Sequence, residues 1–252
     1  MNVHLVQFDI AWENPAANRD RIGQLVARSA PVMGDLVVLP ETAFTGFSLD
    51  TSCTLSDAGA AEAFLADLAR RFHCTVVGGI VAADSHGRAS NQALAFSPAG
   101  VLLARYVKLQ PFSLGGEGAV HAPGDEIVLF DWEGIRVAPF ICYDLRFPEH
   151  FRAAVQRGAE MFVVIASWPV TRHHHWLTLL QARAIENQAL VVGVNRCGTD
   201  PSFTYNGRSI VASPHGHIIA DAGEGERVVT ARIDADEIRR WRREFPALAD
   251  IR

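Results

Sequence analysis

The sequence contains no apolar run long enough to cross a membrane. A membrane-spanning helix needs roughly 20 apolar residues, and the apolar runs of this 252-residue chain are strand-length and interrupted by polar residues, glycine or proline. The opening residues, MNVHLVQFDIAWENP, lack the basic stretch and the apolar core of a secretory signal. We therefore expect a cytoplasmic protein with no membrane partner.

Positive charge and cysteine are also scarce. The 23 lysines and arginines are outnumbered by 28 aspartates and glutamates, giving a formal net charge of -5, which argues against nucleic acid as the main partner. The four cysteines are widely spaced and lack the paired spacing of a zinc site or a dense disulfide framework; they are Cys53, Cys74, Cys142 and Cys197. In a reducing compartment such cysteines are buried thiols or, occasionally, a catalytic group.

A metal site is not indicated either. Three consecutive histidines, His173, His174 and His175, stand close to a predicted helix. Neighbouring residues on a helix point about 100° apart, so three in a row do not converge on one ion. No HExxH motif accompanies them. We expect neither a metal nor an organic cofactor.

Short apolar segments alternate with segments of helical periodicity along the chain, without repeats, low-complexity tracts or long linkers. Helical periodicity covers residues 14–29, 60–72, 147–157, 176–188 and 234–243. Several predicted strands follow one another directly, as in the hairpins that turn at Ala99-Gly100 and Glu133-Gly134. The pattern predicts one domain, residues 1–252, in which two packed mixed sheets are each covered by helices.

Three side chains that can take part in catalysis lie at or directly after the ends of predicted strands. Glu41 follows DLVVLP, Lys108 ends GVLLARYVK and Cys142 ends IRVAPFIC. Because ligands bind beyond the carboxyl ends of strands in α/β sheets, these three groups can share one pocket. Each also has an ordinary explanation: a solvated glutamate, an exposed lysine, or a cysteine that serves as a small apolar group. A thiol close to a helix N-terminus and a lysine is expected to be stabilised as the thiolate.

These segments resemble the carbon-nitrogen hydrolase (nitrilase) superfamily. The matching motifs are LVVLPETAFTGFS, RYVKLQPFSLGGE and APFICYDLRFPE, and the similarity continues through ASWP and HWLTLLQARAIENQALVVGVNR to REFPAL. The CYDLRFP and ARAIENQ runs are similar to the omega-amidase branch. Nitrilases proper typically carry Trp-Glu after the cysteine, where this chain has Tyr143 and Asp144.

The resemblance implies a four-layer α-β-β-α sandwich, a homodimer, and cleavage of a small linear amide to a carboxylic acid and ammonia. In the implied mechanism Cys142 forms a thioester, and Glu41 acts as general base and then general acid. The Lys108 ammonium and the backbone N–H of Tyr143 are expected to stabilise the oxyanion. The resemblance also identifies Glu117 as a second catalytic glutamate that holds its neighbours in place. Two adjacent carboxylates are expected to raise one pKa.

The sequence determines the substrate less closely. The omega-amidase resemblance implies ω-amides of α-keto acids, such as α-ketoglutaramate and α-ketosuccinamate, whose carboxylate requires a cation. The candidate substrate-binding residues are Arg146 for the carboxylate, Trp168 for a pocket wall, and Phe44 and Phe47 for the apolar stem. Arg146 has a structural ion pair as its alternative role, and Trp168 has core packing.

Other functions stay open at this point. Members of the superfamily also cleave N-carbamoyl groups and deaminated glutathione. A cysteine–histidine dyad would have to use His150, which is expected on the helix after Cys142 and facing away from it. From a different class, the chain would be a catalytically inert protein that binds a small molecule on the same fold.

Overall fold

A computed structural model describes residues 1–251, in which strands and helices alternate. The strands are β1 (Asn2–Gln7), β2 (Leu36–Val38), β3 (Thr75–Ala83), β4 (Ala89–Phe96), β5 (Leu102–Val107), β6 (Phe130–Trp132), β7 (Ile135–Ile141), β8 (Met161–Ala166), β9 (Leu190–Asn195), β10 (Cys197–Thr199), β11 (Thr204–Asn206), β12 (Ile210–Ala212), β13 (Ile218–Asp221) and β14 (Arg227–Arg232). The helices are α1 (Pro15–Ser29), α2 (Thr51–Ser56), α3 (Ala58–Phe72), α4 (Glu117–Val120), α5 (Pro148–Gln156), α6 (His173–Asn187) and α7 (Ala235–Glu244).

Twelve of the described strands form two six-stranded sheets. The first has the order β14-β1-β2-β3-β4-β5, and the second has the order β13-β12-β9-β8-β7-β6. Three neighbouring strands in each sheet are parallel, β1 to β3 and β7 to β9, and antiparallel strands flank them on both sides. Strands β10 and β11 pair with each other as a separate hairpin.

Alternating side chains on the strands explain the layers. In β2, Leu36 and Val38 lie in a core shared with the second sheet, whereas Val37 lies in a core shared with α1 and α3. On the other side of the molecule, Phe151 of α5 and Trp176 of α6 pack against the outer face of the second sheet. The result is a four-layer α-β-β-α sandwich, as predicted.

The structure differs from the sequence prediction in several elements. Helix α6 begins at His173 rather than at residue 176, and the strand before the predicted turn at Glu133-Gly134 is only the three-residue β6. Strand β14 and the β10–β11 hairpin were not predicted. Strand β14 pairs with β1 in the register Asn2 to Arg232, and a pairing between the two ends of a chain leaves no local signal in the sequence.

No helix within residues 1–251 combines the length and the apolar character needed to cross a membrane. The assignment of residues 1–252 to one domain stays a prediction, since nothing in the structure tests where the domain begins and ends.

Candidate active site

The three predicted side chains lie in one pocket at the carboxyl ends of strands. Glu41 follows β2, Lys108 follows β5, and Cys142 follows β7. All three line the pocket. The packing of the two sheets therefore brings the Glu41 carboxylate and the Lys108 ammonium from one sheet to the Cys142 thiol from the other. Glu41 and Lys108 are buried, at 0% and 1% exposure, whereas Cys142 is partly exposed.

The lysine lies between two carboxylates. Its Nζ donates to Glu41 Oε1 at 2.8 Å and to Glu117 Oε2 at 2.8 Å. Glu117 is the first residue of α4 and is fully buried. The group therefore contains two carboxylates and one ammonium with almost no solvent contact. The role of Glu117 as a second catalytic glutamate stays a prediction. Lys108 is also the single lysine of the sequence.

The pKa values in this cluster follow from the bridging ammonium. Burial disfavours the charged form of Lys108, but Glu41 and Glu117 more than compensate and raise its pKa above the ordinary value. Burial likewise disfavours the Glu117 carboxylate, yet Lys108 and the hydrogen bonds that Glu117 accepts lower its pKa to about 2. The expectation that neighbouring carboxylates raise one pKa is wrong at Glu117, because the ammonium separates the two anions.

The nucleophile candidate occupies a strained turn. Cys142 has a φ of 46°, in the left-handed region that residues other than glycine rarely adopt. Its Sγ points to the backbone oxygen of Ser167 at 4.0 Å. Burial and the Glu41 carboxylate raise the pKa of the thiol well above its ordinary value, against the opposing effect of Lys108. The expectation that the thiolate of Cys142 is stabilised is therefore wrong.

A buried carboxylate connects the cysteine turn to the lysine strand. Asp144 Oδ2 accepts from Ile141 N at 2.9 Å and from the Tyr106 hydroxyl at 2.7 Å, and its Oδ1 accepts from Gln110 N at 2.9 Å. These donors lie on both sides of the lysine and directly before Cys142. Burial raises the pKa of Asp144 to about 6, although the nearby ammonium and these hydrogen bonds lower it.

Four of the five further residues predicted for this site line the pocket, namely Tyr143, Arg146, Trp168 and Phe47. The fifth, Phe44, does not. The turn after Glu41 directs its ring toward α3, where it packs edge-on against Phe64 with the ring centroids 5.8 Å apart. Phe44 is therefore part of the outer core, and the prediction that it contacts substrate is not supported.

A second arginine, which the sequence reasoning missed, stands beside the predicted one. Arg172 lies between β8 and α6 and its guanidinium is 5.7 Å from the centre of the Phe112 ring, while that of Arg146 is 4.7 Å from Trp168. Within residues 1–251 neither guanidinium pairs with a carboxylate; Arg146 Nη2 is 3.3 Å from Nδ1 of His175. Burial and Arg172 lower the pKa of Arg146. The pocket wall thus carries two cations that have no carboxylate partner within the described part of the chain.

Two other residues that the sequence reasoning missed hold Glu41. The backbone N–H of Ser167 donates to Glu41 Oε2 at 2.7 Å, and Asn91 Nδ2 donates to Glu41 Oε1 at 2.7 Å and to Glu117 Oε1 at 2.9 Å. Asn91 belongs to the polar run Ser-Asn-Gln inside the buried strand β4. Such a run was a usable signal, because buried polar groups require partners.

The histidines do not enter the pocket. His150 Nε2 lies 3.2 Å from Gln110 Nε2, and its ring packs beside Phe147. The three consecutive histidines are exposed in the first turn of α6. In the part of the chain that the structure describes, no group of three or more His, Cys, Asp or Glu side chains is arranged to hold a metal ion.

Comparison with known families identifies the family of this chain. A family model described as carbon-nitrogen hydrolase matches residues 2–243. The chain belongs to the carbon-nitrogen hydrolase family. It is accordingly a hydrolase that acts on carbon–nitrogen bonds in amides.

This carbon-nitrogen hydrolase is similar to enzymes with different amide substrates. It is 32% identical over 252 residues to a 2-oxoglutaramate amidase from Bacillus subtilis (strain 168), with 99% of this chain and 97% of the relative covered. It is 33% identical over 251 residues to a deaminated glutathione amidase from Escherichia coli O157:H7, with coverage of 96% and 92%. Identity by itself therefore does not separate these two specificities.

Among solved structures, the hydrolase is similar to XC1258 from Xanthomonas campestris, a CN-hydrolase superfamily protein with an arsenic adduct in its active site. The TM-score is 0.94 at 35% sequence identity, and the match covers 100% of this chain and 97% of the other. The agreement extends over all four layers of the sandwich.

Proposed function

We propose that this hydrolase cleaves a short linear amide that carries a carboxylate at its far end, an ω-amide of an α-keto dicarboxylic acid such as α-ketoglutaramate or α-ketosuccinamate. The observation that carries the proposal is the pair of guanidiniums, Arg146 and Arg172, in the pocket that contains Cys142. An arginine fork suits a carboxylate, and neither arginine has a carboxylate partner among the residues that the structure describes. The similarity to a 2-oxoglutaramate amidase agrees with this substrate class.

The raised pKa of the Cys142 thiol dictates the first step. Because the thiol is protonated at neutral pH, a base must remove its proton as the sulfur attacks the amide carbon. Glu41 is the base in this proposal, since it lines the same pocket and its Oε2 accepts one backbone hydrogen bond from Ser167. The carbonyl oxygen then gains a negative charge, which the Lys108 ammonium and the backbone N–H of Tyr143 stabilise.

The second half of the reaction returns the proton. Glu41 donates it to the amide nitrogen, the carbon–nitrogen bond breaks, and ammonia leaves a thioester on Cys142. Water then attacks the thioester carbon and gives one proton to Glu41, which passes it to the departing sulfur as the acid is released. Glu117 stays ionised throughout and keeps the Lys108 ammonium in place. These steps use side chains and water.

The arginine pair is tested with two substrates of matched length. Ammonia release is measured from α-ketoglutaramate and from pentanamide, which lacks the carboxylate. Charge-assisted hydrogen bonds contribute about 1.5–3 kcal/mol each, so Arg146→Gln or Arg172→Gln is expected to lower kcat/KM for α-ketoglutaramate by about 10- to 150-fold. The same variants should leave the value for pentanamide within about threefold.

Matched controls complete this experiment. Arg152→Gln removes a half-buried arginine that donates to a backbone oxygen on α6 outside the pocket, and it should change the activity on neither substrate. Cys142→Ala should release no ammonia; activity in that variant would disprove the nucleophile assignment. Equal losses on both substrates, or a preference for deaminated glutathione or an N-carbamoyl amino acid, would refute the substrate class. If the protein releases ammonia from none of these amides, the result would support the alternative of a catalytically inert binding protein.

We further propose that the chain acts in the cytoplasm as a homodimer, as its family resemblance implies. Sedimentation velocity on the purified protein tests the assembly, since a dimer of this 27.5 kDa chain separates clearly from the monomer. A monomer at micromolar concentration would contradict this part of the proposal.

A further inference from the structure

Asn91 contacts both carboxylates of the site from the side of β4. It is 1% exposed, and its Nδ2 donates one hydrogen to Glu41 Oε1 at 2.7 Å and the other to Glu117 Oε1 at 2.9 Å. Lys108 bridges the same two carboxylates with contacts of 2.8 Å each. The anions are therefore connected twice, by a charged ammonium and by a neutral amide.

The double connection distinguishes the two oxygens of Glu41. Its Oε1 accepts from both Asn91 and Lys108, so little of its capacity is left for a proton. Its Oε2 accepts from the backbone N–H of Ser167 alone among residues 1–251. Rotation of the carboxylate would break the bond to Asn91, so the amide keeps Oε2 as the less occupied oxygen of Glu41.

The side-chain oxygen of Asn91 also supports a role in holding the Glu41 carboxylate. Its Oδ1 has no hydrogen-bond partner within the described residues, so the NH₂ group supplies all of the polar contacts that hold the side chain. Its orientation is also settled, because a flipped amide would direct Oδ1 at two carboxylates. A cation in this place would oppose the basicity of Glu41, and an acid would add a third anion. The neutral amide of Asn91 donates to both carboxylates without changing the net charge of the site.

We propose that Asn91 is a positioning residue for amide hydrolysis, which fixes the Glu41 carboxylate so that Oε2 accepts the thiol proton and returns it to the leaving nitrogen. The inference deepens the proposed function and rests on its assignment of Glu41 as the base. Asn91 is not among the residues that line the pocket, so its loss should reduce kcat and leave KM unchanged.

The test compares Asn91→Leu and Asn91→Asp with wild type on α-ketoglutaramate. A misdirected base costs on the order of 100-fold in rate, so both variants should lose about that factor in kcat with KM within about twofold. Asn91→Asp should lose at least as much as Asn91→Leu, although aspartate matches asparagine in shape, because a third carboxylate then faces the other two. A space-filling role predicts the opposite order and would overturn the inference.

Ser90→Ala is the matched control. Ser90 is the neighbouring buried polar residue of β4, and its hydroxyl donates to Ala82 O at 3.0 Å without contact to either carboxylate. This variant should keep the wild-type kcat, and circular dichroism should show all variants folded. If Asn91→Leu does not fold, Asn91→Asp and its comparison with Ser90→Ala decide the question.

A further variant separates the two proposals. Glu41→Gln should be inactive; substantial activity in that variant would remove the base assignment itself. If Glu41→Gln is inactive while folded Asn91→Leu and Asn91→Asp retain the wild-type kcat, the proposed function stands and the positioning role of Asn91 is wrong.

Discussion

Replacing Lys108 by methionine would measure how much the buried ammonium contributes to the stability of the protein. The methionine preserves most of the aliphatic stem but removes an ammonium that is 1% exposed and contacts two carboxylates at 2.8 Å each. Both carboxylates would then be buried close to each other without a cation. The removal of one partner from a buried ion pair is much more costly than the loss of an exposed one, because the remaining charge is not solvated.

The pKa of Glu117 gives the magnitude. In the folded protein it is about 2, against an ordinary value of 4.5. At about 1.4 kcal/mol for each pKa unit, this difference corresponds to about 3 kcal/mol of stability at neutral pH. The variant loses that contribution to the free energy of unfolding. The loss agrees with the cost of about 3–5 kcal/mol that is typical for breaking a buried ion pair.

The dependence on pH should reverse its sign. In wild type the depressed pKa of Glu117 contributes stability that is complete above pH 4.5 and is lost as the pH falls toward 2. Without Lys108, burial dominates and raises the pKa of Glu117, so the folded state takes up a proton more readily than the unfolded state. The variant should therefore gain stability as the pH falls from about 7 to about 5.

Urea denaturation at several pH values between 5 and 7, followed by tryptophan fluorescence, measures these effects. Lys108→Met combined with Glu117→Gln should recover part of the loss, because one uncompensated charge is removed. Since Lys108 is the single lysine of the sequence, selective ¹⁵N labelling gives one Nζ signal. Because the pKa of Lys108 is raised, this signal should remain that of an ammonium up to the highest pH at which the protein stays folded. A loss below about 1 kcal/mol with an unchanged pH dependence would refute the reasoning.

Two further substitutions test how the site is held together. In Gly79→Ala the new Cβ would lie 2.7 Å from Glu41 Cα, so kcat for α-ketoglutaramate should fall at least about tenfold; Gly23→Ala, in open space on α1, should instead stabilise the protein by about 0.5–1 kcal/mol. Tyr106→Phe removes a donor from the buried Asp144 and should cost about 1–3 kcal/mol at pH 7. Because the pKa of Asp144 is already raised to about 6, that loss should shrink at pH 5 as the carboxyl takes up a proton; an equal loss at both pH values in urea denaturation would contradict the role of this hydrogen bond.

Local sequence patterns are sufficient to predict most of the central strands and outer helices. Apolar runs and helical periodicity are properties of neighbouring residues, so β2, β7 and α1 could be predicted from the sequence. The strands that the sequence pattern does not predict depend on their pairing partners. Strand β14 exists because it pairs with β1, and the three-residue strands β10 and β11 exist because they pair with each other; neither pairing is written in the residues of one strand.

The same distinction applies to the site. The sequence by itself placed Glu41, Lys108 and Cys142 at strand ends, and the presence of a single lysine was a further signal that was overlooked. The tertiary structure decided their chemistry. Sheet packing removes water from around the Cys142 thiol and raises its pKa, which is why the proposed mechanism includes a base. It also brings Asn91 to the carboxylates and Arg172 to the pocket wall. Hydrogen bonds and pKa values depend on distances between residues far apart in the chain, and those distances exist only after the two sheets have packed.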